Sequence, residues 1–207
     1  RMLMGILRPT AGRAQVLGLD CFADRAEVKR HVGYLPDEPQ FHDHLRGAEL
    51  LRFVAAMHGL RGRTGWQRAA PLVERLDLGD ALEEFTVNYS MGMRKKLALI
   101  LALLHEPELL ILDEPASGLD PFATRTLNEL IRERAAAGTA VLYSTHLLDQ
   151  AERLCHRVGI MRKGRLAANA PLDELRRGLA VGGSLEDIFF EGAADRPDGA
   201  PPPATPR

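Results

Sequence analysis

Short apolar runs alternate with longer amphipathic stretches along most of this chain. Residues 1–7 read as the inside of a helix that packs its apolar side and stops near Arg8-Pro9. Pro9-Thr10-Ala11-Gly12 marks a turn, and residues 14–17 a short strand stopped by Gly18. A helix is expected at 26–30, then a strand at 32–35 that breaks at Pro36. Two helical patterns follow, at 46–58 and 66–76, separated by a Gly/Arg-rich loop. A third, at 91–104, ends ahead of Pro107. Strand 109–112 leads to helix 122–136, which Gly138 closes; strand 139–143 leads to helix 147–155. Alternation of short apolar strands with longer helices predicts an α/β fold with a parallel sheet covered by helices. Residues 158–162 and 165–168 around Lys163-Gly164 predict a hairpin, with short helices at 171–176 and 185–190. Pro, Ala, Gly and Asp dominate from Gly192 onwards and include Pro201-Pro202-Pro203, so residues 191–207 are expected to be disordered.

Composition narrows the function classes. With 207 residues the chain can bury a substantial core, and its 45% hydrophobic and 27% charged content is an ordinary globular balance. The formal net charge of -1 gives no overall attraction for nucleic acid. Two cysteines, Cys21 and Cys155, are too few for a disulfide framework or a cysteine metal site. The longest apolar run, 97–104, falls well short of the roughly 20 residues of a membrane-spanning helix.

Three segments carry candidate chemistry. Leu109-Leu110-Ile111-Leu112 reads as a fully buried strand with Asp113 and Glu114 at its carboxyl end, where open α/β sheets place their ligands. The first carboxylate can help hold a Mg²⁺–water–phosphate cluster, and the second can orient or deprotonate an attacking water. A polar turn broken by Pro115 accounts for the same residues. The downstream Ser117-Gly118-Leu119-Asp120-Pro121 adds a tight polar loop and a helix opening at Asp120. Ser90 can cap the helix that starts at Met91. That helix end, beside Gly92 and followed by Arg94, Lys95 and Lys96, also offers an anion site. His146, after Ser144-Thr145, is either a neighbour of a helix cap or a donor to a phosphate oxygen. The remaining histidines show no metal-ligand spacing, and no Gly-x-Ser-x-Gly elbow supports a serine hydrolase.

In this order the segments strongly resemble the ATP-binding cassette (ABC) ATPase domain over residues 1 to about 190. Tyr89-Ser90-Met91-Gly92-Met93 resembles the signature loop, and Leu109 through Pro115 the Walker B strand. Ser117-Gly118-Leu119-Asp120 resembles the D-loop, and Ser144-Thr145-His146 the switch histidine. The resemblance implies a P-loop NTPase-like core at 1–39 and 105–190, a helical subdomain at 40–104, and a dependence on ATP and Mg²⁺. It implies that Asp113 supports Mg²⁺ through water, that Glu114 is the general base and that His146 meets the γ-phosphate. Ser90 and Gly92 would bind the γ-phosphate held by a second, head-to-tail ATPase protomer, and Asp120 would link the two sites. Further partners implied are integral membrane permease subunits at the cytoplasmic face of the membrane, with no nucleic acid. The Tyr-Ser-x-Gly-Met form and Ser184-Leu185-Glu186-Asp187-Ile188-Phe189 look like those of bacterial ABC-2-type exporter ATPases.

Three departures shape the expectation. No Gly-rich run with Lys and Ser/Thr occurs anywhere in the chain, so residues 1–12 look like the helix that follows the Walker A loop. On that reading the chain is an N-terminally truncated cassette, inactive as a 207-residue piece, whose intact parent is an exporter ATPase. Met91 replaces a signature glycine, costing roughly 1 kcal/mol if that position needs positive φ. At the Q-loop position, Gly33-Tyr34-Leu35-Pro36 leads into Asp37-Glu38; Asp37 can meet Mg²⁺ or its water but cannot donate as an amide does. The competing classes are a non-transport ABC ATPase acting on a ribosome or DNA, and a non-catalytic regulatory fragment. The former usually carries tandem cassettes or inserted arms, which this chain does not show.

Overall fold

The computed structural model describes residues 1–177, so the helix expected at 185–190 and the tail at 191–207 lie outside the described residues. The chain divides into two compact units, Arg1–Ser144 and a second that begins at Thr145.

The first unit opens differently from the helix expected at 1–7. Arg1 to Leu7 form turns, with the Gly5 and Ile6 amides donating to the carbonyls of Met2 and Arg1. Gly5 explains the difference: its φ of +62° is outside the right-handed helix, and a Cβ there would meet the Cys21 carbonyl and the Arg25 side chain. Met4 is buried with Val16, Cys21, Val28 and Val32, which seats this segment in a core. The strand expected at 14–17 is shorter, β1 (Gln15–Val16), and forms a hairpin with β2 (Leu19–Asp20). Helix α1 (Arg25–His31) then feeds β3 (Val32–Leu35).

The central sheet has the order β3, β4 (Leu109–Asp113), β5 (Ala140–Ser144), all parallel as predicted. Leu110 lies opposite Gly33 and Val141, and Leu112 opposite Leu35 and Tyr143. Strand β4 is not buried on both faces. Leu110 and Leu112 are fully enclosed, whereas Leu109, Ile111 and Asp113 on the other face are only half-buried.

Helices α2 (Gly47–Met57), α3 (Thr64–Arg75) and α4 (Met91–Leu103) join β3 to β4, with 3-10 turns at Asp80–Glu83 and Thr86–Asn88. Helix α4 packs on β3 and buries Leu97, Leu99, Ile100 and Leu103, each removing apolar area worth roughly 25 cal/mol per Å². Helix α5 (Pro121–Ala136) joins β4 to β5 and buries Leu127, Leu130 and Ile131. Arg75 of α3 donates to both carboxylate oxygens of Glu133 on α5, at 2.6 and 2.9 Å, which fixes the two helices side by side. In the second unit, α6 (Leu148–Leu154) and α7 (Leu172–Arg177) pack against the hairpin of β6 (Arg157–Arg162) and β7 (Arg165–Pro171). Its core is Ala151, Val158, Ile160 and Leu172. Lys163 and Gly164 both take positive φ in the hairpin turn, as a tight two-residue connection requires.

A pair of stacked imidazoles gives the first unit a pH dependence. His58 at the end of α2 lies 3.8 Å from His105 just past α4, with ring planes 13° apart. Both ring nitrogens of His105 are shielded from solvent. Burial and the neighbouring His58 push its pKa down from 6.5 to about 4, with Arg68 and His31 acting in the same sense. Burial lowers His58 as well. A histidine with a depressed native pKa takes up its proton more readily when unfolded, so stability falls as pH drops from 6.5 towards 4. The loss is at most about 3 kcal/mol over that window. His31 opposes it: the Glu108 carboxylate 2.8 Å away, helped by Glu27, raises its pKa, and its contribution fades as pH rises. Thermal melts at pH 7, 6 and 5 should show a falling midpoint in the wild type. A flatter dependence in His105→Phe is expected, and an unchanged slope would contradict the assignment.

Candidate active site

The carboxyl end of β4 is built around one unusual residue. Glu114 follows the strand with φ at +44°, a left-handed conformation that costs a non-glycine residue on the order of 1 kcal/mol. Its surroundings hold that conformation in place. The Glu114 amide donates to the Ser144 carbonyl at 3.0 Å, continuing the β4–β5 ladder one residue further. Its carbonyl accepts from the Ser117 amide at 3.2 Å and from the Lys95 ammonium. A strained, well-held residue at a strand end is a feature of functional sites.

Asp113, the last residue of β4, accepts a 2.6 Å hydrogen bond from the Ser144 hydroxyl on β5. Asp37, just beyond β3, lies with its Oδ1 3.3 Å from the Lys95 ammonium. Lys95 thus brings Asp37 and the Glu114 peptide together, on adjacent parallel strands whose ends point the same way.

The start of α4 is capped as predicted: the Ser90 hydroxyl accepts from the Met93 amide at 3.2 Å. Met91 lies in the first helical turn and is not among the residues with positive φ, so replacing glycine there carries no backbone strain. Gly92 has a packing reason. A Cβ on it would come within 3.0 Å of the Gly118 carbonyl, and one on Gly118 within 2.9 Å of the Met91 side chain. The α4 terminus and the 117–120 loop therefore touch directly. Asp120 caps α5 by accepting from the Ala123 amide at 2.9 Å, which holds its carboxyl below the usual range, and Lys96 lies 4.0 Å away.

Each of the three basic residues after Gly92 has an acidic partner of its own within the chain. Arg94 lies 3.7 Å from Asp43, Lys96 near Asp120, and Lys95 turns inward and is only 1% exposed. Lys95 was not legible as a site residue from motif spacing. Its signal was a lysine on the inward helical face, four residues ahead of Leu99 and eight ahead of Leu103.

His146 belongs to the second unit. It is exposed in the turn before α6, where the Leu147 amide donates to the Thr145 hydroxyl at 3.0 Å. No helix among the described residues is long and apolar enough to cross a membrane.

Comparison with known proteins gives the family and the fold. The ABC transporter family model matches residues 1–117. A solved structure of an ATP-binding subunit of an ABC transporter is 34% identical and superposes with a TM-score of 0.86, covering 92% of this chain and 80% of that one. An ATP-binding cassette solved as a dimer in a post-hydrolysis state with ADP and phosphate shares the fold, with a TM-score of 0.73 at 17% identity, covering 83% of this chain and 78% of that one. The daunorubicin resistance ATP-binding protein DrrA3 of Streptomyces coeruleorubidus is 35% identical over 93% of this chain and 60% of its own length. The bacitracin transport ATP-binding protein BcrA of Bacillus licheniformis is 33% identical over 86% of this chain and 57% of its own length. The chain spans about half the length of the curated relatives it matches.

These matches correct one expectation. The family match begins at residue 1 and takes in the N-terminal region, so the reading of the chain as a truncated cassette lacking that region is withdrawn. Residues 1–7 are turns whose Met4 is anchored in the core, not the interior of an interrupted helix.

Proposed function

The chain belongs to the ABC transporter family, and from that premise we propose that its protein couples MgATP binding and hydrolysis to an exporter in the membrane. The observation that carries this reading is the Asp113–Glu114 pair at the end of β4, with the Glu114 peptide held by Ser144, Ser117 and Lys95. The export direction is supported by the names of the drug-resistance and bacitracin-transport relatives.

Glu114 is the general base, orienting water for attack on the γ-phosphate and taking its proton. Asp113 offers hard oxygen to Mg²⁺, with one carboxylate oxygen already hydrogen-bonded to Ser144. No group of three or more His, Cys, Asp or Glu side chains that could hold a metal occurs among the described residues. That donor set fits an ion held chiefly by phosphate and water, with Asp113 and Asp37 contributing through water. Bound there, Mg²⁺ would neutralise charge developing on the phosphate oxygens.

Ser90, Gly92 and the exposed amides of α4 receive the γ-phosphate presented by a second, head-to-tail protomer, and Asp120 links the two sites. The helical segment at 40–104 passes force to membrane permease subunits, which would hold the protein at the cytoplasmic face of the membrane.

Phosphate release by the native protein reconstituted with its membrane partner tests this reading. Hydrolysis should require Mg²⁺ and rise when the partner is present; no MgATP-dependent phosphate release would refute it.

A further inference from the structure

We propose that Lys95 is a positioning residue for hydrolysis, a mechanical link that sets Glu114 according to the state of the α4 terminus. The inference deepens the ATPase reading and rests on it. Lys95 is 1% exposed, and a buried ammonium is tolerated only where partners replace its water. Two partners come from different elements: the Asp37 carboxylate after β3, at 3.3 Å, and the Glu114 carbonyl after β4. Neither contact is made by a neighbour in sequence, for Lys95 stands 58 residues from the first and 19 from the second.

The consequence follows from where each end of the link is fixed. Lys95 lies in the helix that Ser90 caps, less than one turn beyond Gly92 and about one and a half turns beyond Ser90. A displacement or rotation of the α4 terminus, as when an anion docks on its amides, therefore carries the ammonium with it. At the far end the ammonium grips the peptide of the one residue on which water activation is proposed to depend. That peptide is in a left-handed conformation which Glu114 would not adopt unaided, so a shift in the grip changes the direction of its side chain. Asp37, whose side chain is half exposed, supplies the counter-charge and joins the segment after β3 to the same point.

Lys95 needs no contact with nucleotide to act in this way. Its removal should lower kcat and leave the KM for MgATP almost unchanged. A loss of about 10²-fold in kcat is expected for Lys95→Met, the size that follows from misplacing a reacting group by about 1 Å. Lys95→Arg, which keeps the charge and can reach the same carbonyl, should recover most of it. Asp37→Asn should reduce kcat less than Lys95→Met, and adding it to Lys95→Met should cost less than it does in the wild type, because the part of its effect that runs through Lys95 is already lost.

The experiment is steady-state kinetics on the native protein, with amide hydrogen exchange read at residues 113–118. In Lys95→Met those amides should exchange at least about tenfold faster while exchange elsewhere in α4 and α5 stays as in the wild type. A wild-type kcat in Lys95→Met, or equal loss of kcat and KM affinity without rescue by arginine, overturns the proposal. If Lys95→Met fails to fold, Lys95→Gln takes its place: a loss of kcat at nearly constant KM, recovered in Lys95→Arg, supports the proposal, and a wild-type kcat overturns it. Should the wild type not hydrolyse MgATP, the ATPase reading fails while the exchange measurement still tests the link. Unchanged exchange at residues 113–118 then overturns it.

Discussion

Replacing Glu114 by glutamine is expected to abolish most MgATP turnover while leaving ATP binding intact. The amide has the size of the carboxylate and the same backbone preference, so the left-handed φ of +44° costs both residues about equally. The main-chain bonds that hold position 114, from its amide to Ser144 and to its carbonyl from Ser117 and Lys95, do not involve the side chain. What is lost is the ability to accept a proton from water. General-base catalysis contributes about 10²–10⁴-fold, and a fall in kcat within that range is expected. Equilibrium binding of MgATP should stay within about threefold of wild type, since the amide keeps the size and shape of the carboxylate and the general-base role is exercised in the transition state. Because the hydrolysing step stalls, two protomers closed on ATP should accumulate, visible as a dimer by size-exclusion chromatography. Turnover within about twofold of wild type would remove Glu114 from the base role.

The sequence made the periodic elements readable and left the irregular ones obscure. Strands β3, β4 and β5 and helices α2 to α5 carry long apolar patterns, and these set the parallel sheet and its helical cover. The site segments were legible because their chemistry is local: a cap at Ser90, a cap at Asp120, two acids at a strand end. Residues 1–7 misled because Met, Leu and Ile at helical spacing looked like a packed helix, while the decisive information was the left-handed Gly5 and its approach to Cys21. Lys95 was hidden for another reason. Motif spacing placed it with Arg94 and Lys96 as surface charge, and only the fold shows that its partners lie 58 and 19 residues away. Contacts of that kind depend on how three elements dock, and no local pattern encodes them.

That docking leaves no room for a side chain at Gly33, and Gly33→Ala is expected to destabilise the first unit severely. Gly33 is buried in β3, where α4 packs on the sheet. A Cβ there would overlap the Ala102 carbonyl of α4 and sit 3.0 Å from both the Leu110 side chain and the Pro107 ring. Side-chain ends could give way, but the Ala102 carbonyl is helix backbone and can yield only if α4 moves off the sheet. Overpacking of this kind costs about 1–3 kcal/mol where side chains absorb it, and backbone contact puts the expected value at about 3 kcal/mol or above. For a chain of this size that corresponds to a midpoint lowered by roughly 6–12 °C in a thermal melt. The substitution also separates two explanations for any loss of turnover. Since α4 carries Ser90, Gly92 and Lys95, moving it away from β3 should lower kcat even at temperatures where the protein remains folded. Gly79→Ala, where a Cβ meets open space, is the control and should change neither quantity. A Gly33→Ala protein with the wild-type melting point would mean that α4 is not seated on β3 as described.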